Sequence, residues 1–188
     1  FFFIGIDQSS KDDFFSYIYS QDFESDLDIV PIATAQIKTI NGIDPLTYID
    51  KNNGSYWVIQ EERRISWLDQ PADNNPIIKG EWWSSNDTGE EMLISFDADA
   101  AKDLQININD QVTVSIYGRD VTGTVKNFRK VDYADFTINF AMLLNQNYAQ
   151  SIPHEYLATV KLSNGDNFQE FELLQKFPTI SSIKISNY

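Results

Sequence analysis

Residues 128–144, reading FRKVDYADFTINFAMLL, set Arg129, Asp132 and Asp135 into a run that is otherwise apolar and aromatic. A strand that only fills a core has no use for these groups, because a buried charge is costly unless it is paired. Two carboxylates held about 5 to 9.5 Å apart across a cleft can cleave a glycosidic bond. Asp132 with Asp135, or Glu61 with Glu62, supplies the residue types for that chemistry. In a chain with 28 Asp and Glu against 14 Lys and Arg, such pairs also arise from composition alone, so an acid-pair hydrolase is the remote reading.

The other chemistry-bearing residues are sparser. His154 is the only imidazole, which rules out a two-histidine metal site, and it follows Pro153 in a polar turn, where a Ser-His-Asp triad is not expected. Ser9, Ser10, Ser84, Ser85, Ser181 and Ser182 come in pairs, none in a nucleophile-elbow context, and caps and turns account for them. Asp97, Asp99 and Asp103 have neither the glycine nor the distal glutamate of a calcium loop. No glycine-rich phosphate loop is present, and no cofactor or metal is expected. Trp82 and Trp83, with Trp57 and Trp67, could form an aromatic platform for a sugar or lipid-like ligand. Adjacent residues on a strand face opposite ways, so one of Trp82 and Trp83 is expected in the core and the other outside. Packing in the core or between lobes is the plainer use of both.

Composition bounds what these residues can serve. A chain of 188 residues suits one domain or two small lobes and buries about 70% of its unfolded surface. A hydrophobic fraction of 42%, with 13 Phe, 9 Tyr and 4 Trp, marks a folded protein. The formal net charge of -14 repels phosphate backbones and anionic headgroups, which sets nucleic acid aside as a partner. The absence of cysteine excludes a disulfide scaffold and thiolate metal sites without pointing to a compartment. No run approaches the roughly 20 apolar residues of a membrane span. The chain opens at Phe1 rather than Met, as expected of a soluble piece of a longer protein.

The elements that must position the candidate residues read as α+β. Residues 2–6 form an apolar strand; Ser10 with Asp13 is a capping-box-like start for a helix over about 11–23, its stripe made by Phe14, Phe15, Ile18 and Tyr19. A strand over 29–40 carries Pro31 near its beginning, and Asn41-Gly42 makes a turn. From 43 to 125 the character is short strands, at 56–59, 77–83, 92–95, 112–117 and 121–125, with Gly118-Arg119-Asp120 joining the last two. A helix over 98–104 is capped by Asp97, and Asn109 takes a left-handed turn. Phe136, Ile138 and Phe140 alternate toward a buried run at 141–144. A strand at 156–162, a turn at Asn164-Gly165, a helix capped by Asn167 with Phe168, Phe171 and Leu174 on one face, and a strand at 180–185 after Pro178 complete the chain. Two strand-helix-strand halves, residues 1–42 and 126–188, flank an inserted β-rich lobe at 43–125.

Arg129, Val131, Asp132, Tyr133, Phe136, Asn139 and Phe140 carry a resemblance. This run is similar to one in the extracytoplasmic domain of FtsX/MacB-type ABC transporter permeases, especially the YbbP-like branch, which has Trp, Asp and Ser where this chain has Tyr133, Ala134 and Asp135. Residues 78–83, IKGEWW, resemble the family's Gly-Arg-Trp-Trp segment with Glu81 in place of Arg. Residues 100–104 with 108–110, the turn at 40–42 and the ending Phe177-Pro178 fit in the same order, so the resemblance covers nearly the whole chain. It implies a porter-like lobe split by the β insertion, and an extracytoplasmic (periplasmic) location between transmembrane helices of an inner-membrane protein. It further implies a separate cytoplasmic ATP-binding subunit, and no covalent chemistry in this domain. The work implied is to pass ATP-driven conformational change to the export or extraction of hydrophobic compounds, a lipid or hydrophobic small molecule among them, or to a secreted esterase or other periplasmic partner. Within the motif two readings stand side by side. One is a buried Arg129–Asp132 ion pair that fixes the lobe junction; the other is a contact surface for a partner, formed with Tyr133, Phe136, Asn139 and Phe140. The alternative class is a free-standing secreted binding module that uses an exposed tryptophan.

Overall fold

The computed structural model describes residues 2–21, 25–134, 138–162 and 170–183. It is sheet-rich α+β, and the chain divides into two compact units, Phe1–Ile32 with Pro153–Tyr188 and Ala33–Ile152. The division falls elsewhere than at 42/43 and 125/126: residues 33–42 and 126–152 group with the second unit. The reason is pairing, since those residues supply strands that complete the second unit's sheet.

In the first unit, β1 (Phe2–Ile6), β2 (Ser25–Ile40), β9 (Glu155–Leu162) and β10 (Ser181–Ile183) run in the order β10-β1-β9-β2, every pair antiparallel. Only the first half of β2, through Ile32, belongs here, paired with β9. β1 leads to β2 through α1 (Lys11–Tyr19), and β9 leads to β10 through α5 (Glu170–Lys176). Each strand-helix-strand unit leaves a gap that a strand of the other fills, the interleaved split β-α-β arrangement. Phe14 and Ile18, four apart on α1, pack with Phe3, Ile6, Ala158, Val160, Leu173, Phe177 and Ile180. Phe14 meets Phe3 and Phe177 edge-on, at 5.4 and 5.7 Å.

Several local expectations change. Ser10 makes no side-chain cap; instead Asp7 Oδ1 accepts from the Ser10 amide at 2.8 Å, bending the chain into α1. Tyr19 is exposed and stacks on Phe15 at the surface. On α5 the buried residue is Leu173, while Phe171 is 72% exposed. The expected turn at Asn164-Gly165, the cap at Asn167 and Phe168 lie outside the described residues.

The second unit is a closed sheet. Its strands are the second half of β2 with β3 (Arg63–Leu68), β4 (Ile77–Gly80), β5 (Met92–Asp97), β6 (Gln111–Ile116), β7 (Arg119–Arg129) and β8 (Met142–Asn145). β2 pairs with β3, β3 with β8, β8 with β5, β5 with β7, β7 with β6, and β6 returns to β2, so six strands form a ring and β4 adds to the end of β7. Closure removes free edges from those six strands. Inside lie Ile65, Ile94, Phe96, Val112, Val114, Val125 and Leu144, each at most 1% exposed and each worth about 2 kcal/mol of burial.

Residues 56–59, expected as a strand, are the helix α2 (Tyr56–Gln60). Val58 and Ile59 are both buried, which a two-residue repeat cannot achieve on one face. The helix is seeded by Asn53 Oδ1 accepting from the Ser55 amide and by Ser55 Oγ donating to Asp103 Oδ2 at 2.6 Å. α3 (Ala98–Asp103) starts as expected, with Asp97 Oδ1 accepting from the Asp99 amide, and Asn109 has φ 72°. The hairpin between β6 and β7 turns on Tyr117 and Gly118, φ 49° and 80°, the geometry of a two-residue type I′ loop, so Arg119 and Asp120 already belong to the ladder. A short helix α4 (Gln146–Ala149) follows β8.

Candidate functional site around Arg129

β7 ends at Arg129, beside the parallel strand β5, while β8 lies on the other side of β5. That placement lets one side chain reach three strands. Arg129 is 1% exposed. Its Nε donates to Ser95 Oγ at 2.7 Å, and Nη2 donates to the carbonyls of Phe140 at 3.0 Å, Ala141 at 3.2 Å and Ser95 at 3.3 Å. Ser95 Oγ in turn donates to Asn127 Oδ1, and Asn127 Nδ2 donates to the Glu81 carbonyl at 3.1 Å. Nη1 of Arg129 is buried without a hydrogen bond among the described residues. Burial pushes the guanidinium down to about 10, against the upward pull of Tyr133 and Asp97, and it remains a cation at neutral pH.

The expected Arg129–Asp132 ion pair is not formed. Asp132 is exposed; its Oδ1 accepts from the Ala134 amide at 2.9 Å and its carbonyl accepts from Asn139 Nδ2 at 2.9 Å. A carboxylate that can tie its own backbone two residues on does so readily. The acid whose charge Arg129 feels is Asp97, 4% exposed, at the far end of β5. Asp97 accepts from the Asp99 amide and from the Tyr133 hydroxyl, while its own amide donates to the Ala141 carbonyl at 2.7 Å. Burial holds the Tyr133 phenol well above its usual range, with the Asp97 carboxylate adding and the Arg129 cation opposing. The motif is therefore an internal clamp. Arg129 binds the entry of β8, Asp132 and Asn139 close the loop, and Tyr133 seals it onto Asp97.

Of the motif residues, Phe140 is buried and offers its carbonyl to Arg129, and Asn139 also reaches Asn75, at 3.3 Å. Phe136 and Asp135 lie outside the described residues. Ser95 and Asn127 are clamp residues that sequence reasoning does not find, and Asp97 is found only as the cap of α3. Their partners sit 32 or more positions away, and only their polarity inside apolar strands hints at them.

Trp82 and Trp83 do not point to opposite faces. β4 stops at Gly80, whose φ is 75° and where a Cβ would overlap the Lys126 carbonyl oxygen, so the strand alternation ends before the tryptophans. Their rings lie 3.9 Å apart, and their indole N–H groups donate to the adjacent carbonyls of Asp69 and Leu68 at 2.9 and 3.1 Å. Trp83 is buried and Trp82 half-buried, and Trp67 is in the core. The pair pins the residue 81–83 segment to the end of β3. Trp57, by contrast, is 37% exposed and meets Tyr133 edge-on at 5.8 Å.

The remaining candidates are dispersed. Glu61 and Glu62 are exposed in the turn before β3. Asp103 accepts from Ser55, away from the Tyr133 bond of Asp97. In the first unit His154 Nε2 lies 3.1 Å from Gln8 Nε2 and 3.2 Å from the Tyr156 hydroxyl. Ser9 donates to Asp7, Ser84 accepts from the Asn86 amide and Ser182 bonds Glu170. Among the described residues no group of three or more His, Cys, Asp or Glu could hold a metal ion, and no helix is long and apolar enough to cross a membrane.

Set beside known proteins, the chain is similar to a permease of an ABC transporter. The relative is the uncharacterized ABC transporter permease YbbP of Escherichia coli (strain K12), 26% identical over 155 residues that make up 82% of this chain and 18% of the relative. The resemblance to ABC transporter permeases read from the motifs is borne out by this match, and the chain spans less than a fifth of that relative's length. Among solved structures, a crystallised domain of a candidate permease protein from Porphyromonas gingivalis is 12% identical, with a TM-score of 0.39 over 85% of this chain and 71% of that one. No family model matches the chain.

Proposed function

We propose that this chain is the extracytoplasmic domain of an FtsX/MacB-type ABC transporter permease. The observation that carries the reading is the similarity to the permease YbbP across 82% of the chain. The interleaved strand-helix-strand order of the first unit supports its description as a porter-like lobe, interrupted between β2 and β9 by the β-rich lobe. In this reading the domain performs no covalent chemistry. It passes conformational change, driven by ATP hydrolysis on a separate cytoplasmic subunit, to the export or extraction of hydrophobic compounds or to a periplasmic partner such as a secreted esterase. Units that move in that task must each stay stiff inside, because packed elements that keep their shape carry a change from one end of a unit to the other. The Arg129 clamp supplies stiffness where β5, β7 and β8 meet.

The test uses the full-length permease reconstituted with its ATPase. This segment has no cysteine, so spin labels at Glu90→Cys and Lys161→Cys, both exposed, report one from each unit. Use of a cysteine-free background for the rest of the permease keeps those two sites unique. The distance distribution between the labels is expected to change when ATP is added and to return when hydrolysis ends. Identical distributions with and without ATP contradict the reading.

A further inference from the structure

Beside the clamp, three side chains from three different segments form one surface. Trp57 on α2 and Tyr133 on the loop after β7 expose 37% and 48% of their surface while meeting edge-on. Arg63, at the start of β3, lays its guanidinium over the Trp57 indole at 5.2 Å, and its Nε donates to the Trp57 carbonyl at 2.6 Å. Each side chain is held from behind: Tyr133 by the buried Asp97, Arg63 by the Trp57 backbone, and Trp57 by both neighbours. Exposed aromatic rings and an arginine, fixed before any ligand arrives, are the residue types that dominate binding energy at protein interfaces, and fixing them lowers the ordering cost of association.

The charge pattern narrows the partner. The chain carries twice as many acids as bases, yet Arg63 holds no carboxylate among the described residues. Glu61 and Glu62, its neighbours in sequence, are exposed and make no bond to it. With Nε occupied by the Trp57 carbonyl, the two η nitrogens have no partner among the described residues and form a fork that suits a carboxylate. We propose that Trp57, Arg63 and Tyr133 form a docking surface for a protein segment that presents an Asp or Glu carboxylate beside a large apolar side chain. The carboxylate takes the Arg63 fork and the apolar side chain covers the two rings. Nothing in this surface depends on the permease assignment.

The test is an NMR titration of the 15N-labelled chain at physiological salt, where fields beyond about 8 Å are screened and the overall negative charge weighs little. The probe is an acetylated, amidated Gly-Leu-Glu-Phe-Gly peptide, compared with counterparts carrying Gln or Lys at the centre. The acidic peptide is expected to shift the Trp57 indole and Arg63 Nε resonances saturably, and the Gln and Lys peptides to bind at least about tenfold more weakly, as loss of a charge-assisted contact implies. Arg63→Gln should abolish the preference. Arg64→Gln removes the same charge from an exposed neighbour, while Arg63 is the arginine stacked on Trp57, and should leave the preference intact. Absence of saturable shifts, equal shifts from the three peptides, or equal losses in the two variants overturns the proposal. Shifts of the same resonances with protein concentration alone would overturn it in favour of a second copy as the occupant.

Discussion

Replacement of Arg129 separates the value of its hydrogen bonds from the cost of its burial. Four donations end there, to Ser95 Oγ, Ser95 O, Phe140 O and Ala141 O. Ala141 O keeps the Asp97 amide and Ser95 keeps Asn127, so Phe140 O is the acceptor that Arg129→Ala strips of its bond. At about 1.5 kcal/mol for each hydrogen bond to a charged group, the three shorter ones contribute roughly 5 kcal/mol. Loss of the buried methylenes adds about 2 kcal/mol at ~0.8 for each. Against this, burial, net of the upward pull of Tyr133 and Asp97, brings the guanidinium from 12.5 to about 10, which sets the scale of what its place in the core costs the cation. At 1.36 kcal/mol per pKa unit, that cost is about 3 kcal/mol, and both substitutions recover it. The balance is about 4 kcal/mol of lost stability for Arg129→Ala and about 2 kcal/mol for Arg129→Met, which keeps most of the packing, within the range for breaking a buried charged network. For Ala the melting temperature should fall by roughly 10 °C. All four tryptophans, 57, 67, 82 and 83, lie in the second unit, so urea unfolding followed by tryptophan fluorescence reports that unit directly. A loss below about 1 kcal/mol for Ala, or equal losses for Ala and Met, would show that these hydrogen bonds do not outweigh the cost of burying the cation.

Asp132→Ala should cost at most about 1 kcal/mol, and a double-mutant cycle with Arg129→Ala should give a coupling below about 0.5 kcal/mol, since the two side chains do not pair. Tyr133 keeps its proton in the folded state above the pH at which an unfolded tyrosine loses it. Its contribution is thus fully present below about pH 10 and is lost as pH rises through the raised folded value, so the stability gap between the native chain and Tyr133→Phe should be flat to about pH 10 and then shrink. Gly80→Ala should cost more than about 3 kcal/mol, as the new Cβ meets backbone at a positive φ, whereas Gly42→Ala at φ 82°, with open space around it, should cost only about 1 to 2 kcal/mol; paired urea curves decide it.

What the sequence makes legible is local. The apolar strands at either end of the chain, the Asp97 cap and the left-handed Asn109 follow from side-chain chemistry within a few residues, and each is present. The ring of six strands is not local: β3 finds β8 in parallel register, Ser66 opposite Leu143, and no period along the chain encodes that pairing. Once the ring closes, strands on both sides of the expected lobe boundaries are drawn into the second unit. The helix at 56–60 is obscured for a similar reason, because five residues are too few to show a period and the tie that starts the helix comes from Asp103. Arg129 was legible as an oddity in an apolar run, but its partners were not. Asp132 is near in sequence yet satisfies its own backbone, while the acceptors come from β5 and the entry of β8. Arg63 was invisible because its role rests on a contact with Trp57 made only in the folded chain.

The claim that this domain lies outside the cytoplasm within a permease is tested most directly by sidedness. A single cysteine at the exposed Glu90 is unique within this segment, which has no cysteine of its own, and can be carried in an otherwise cysteine-free full-length permease in intact cells with a permeable outer envelope. A membrane-impermeant maleimide is predicted to label it before the inner membrane is broken, to the same extent as after lysis. Labelling that appears only after lysis would place the domain on the cytoplasmic side and contradict the account.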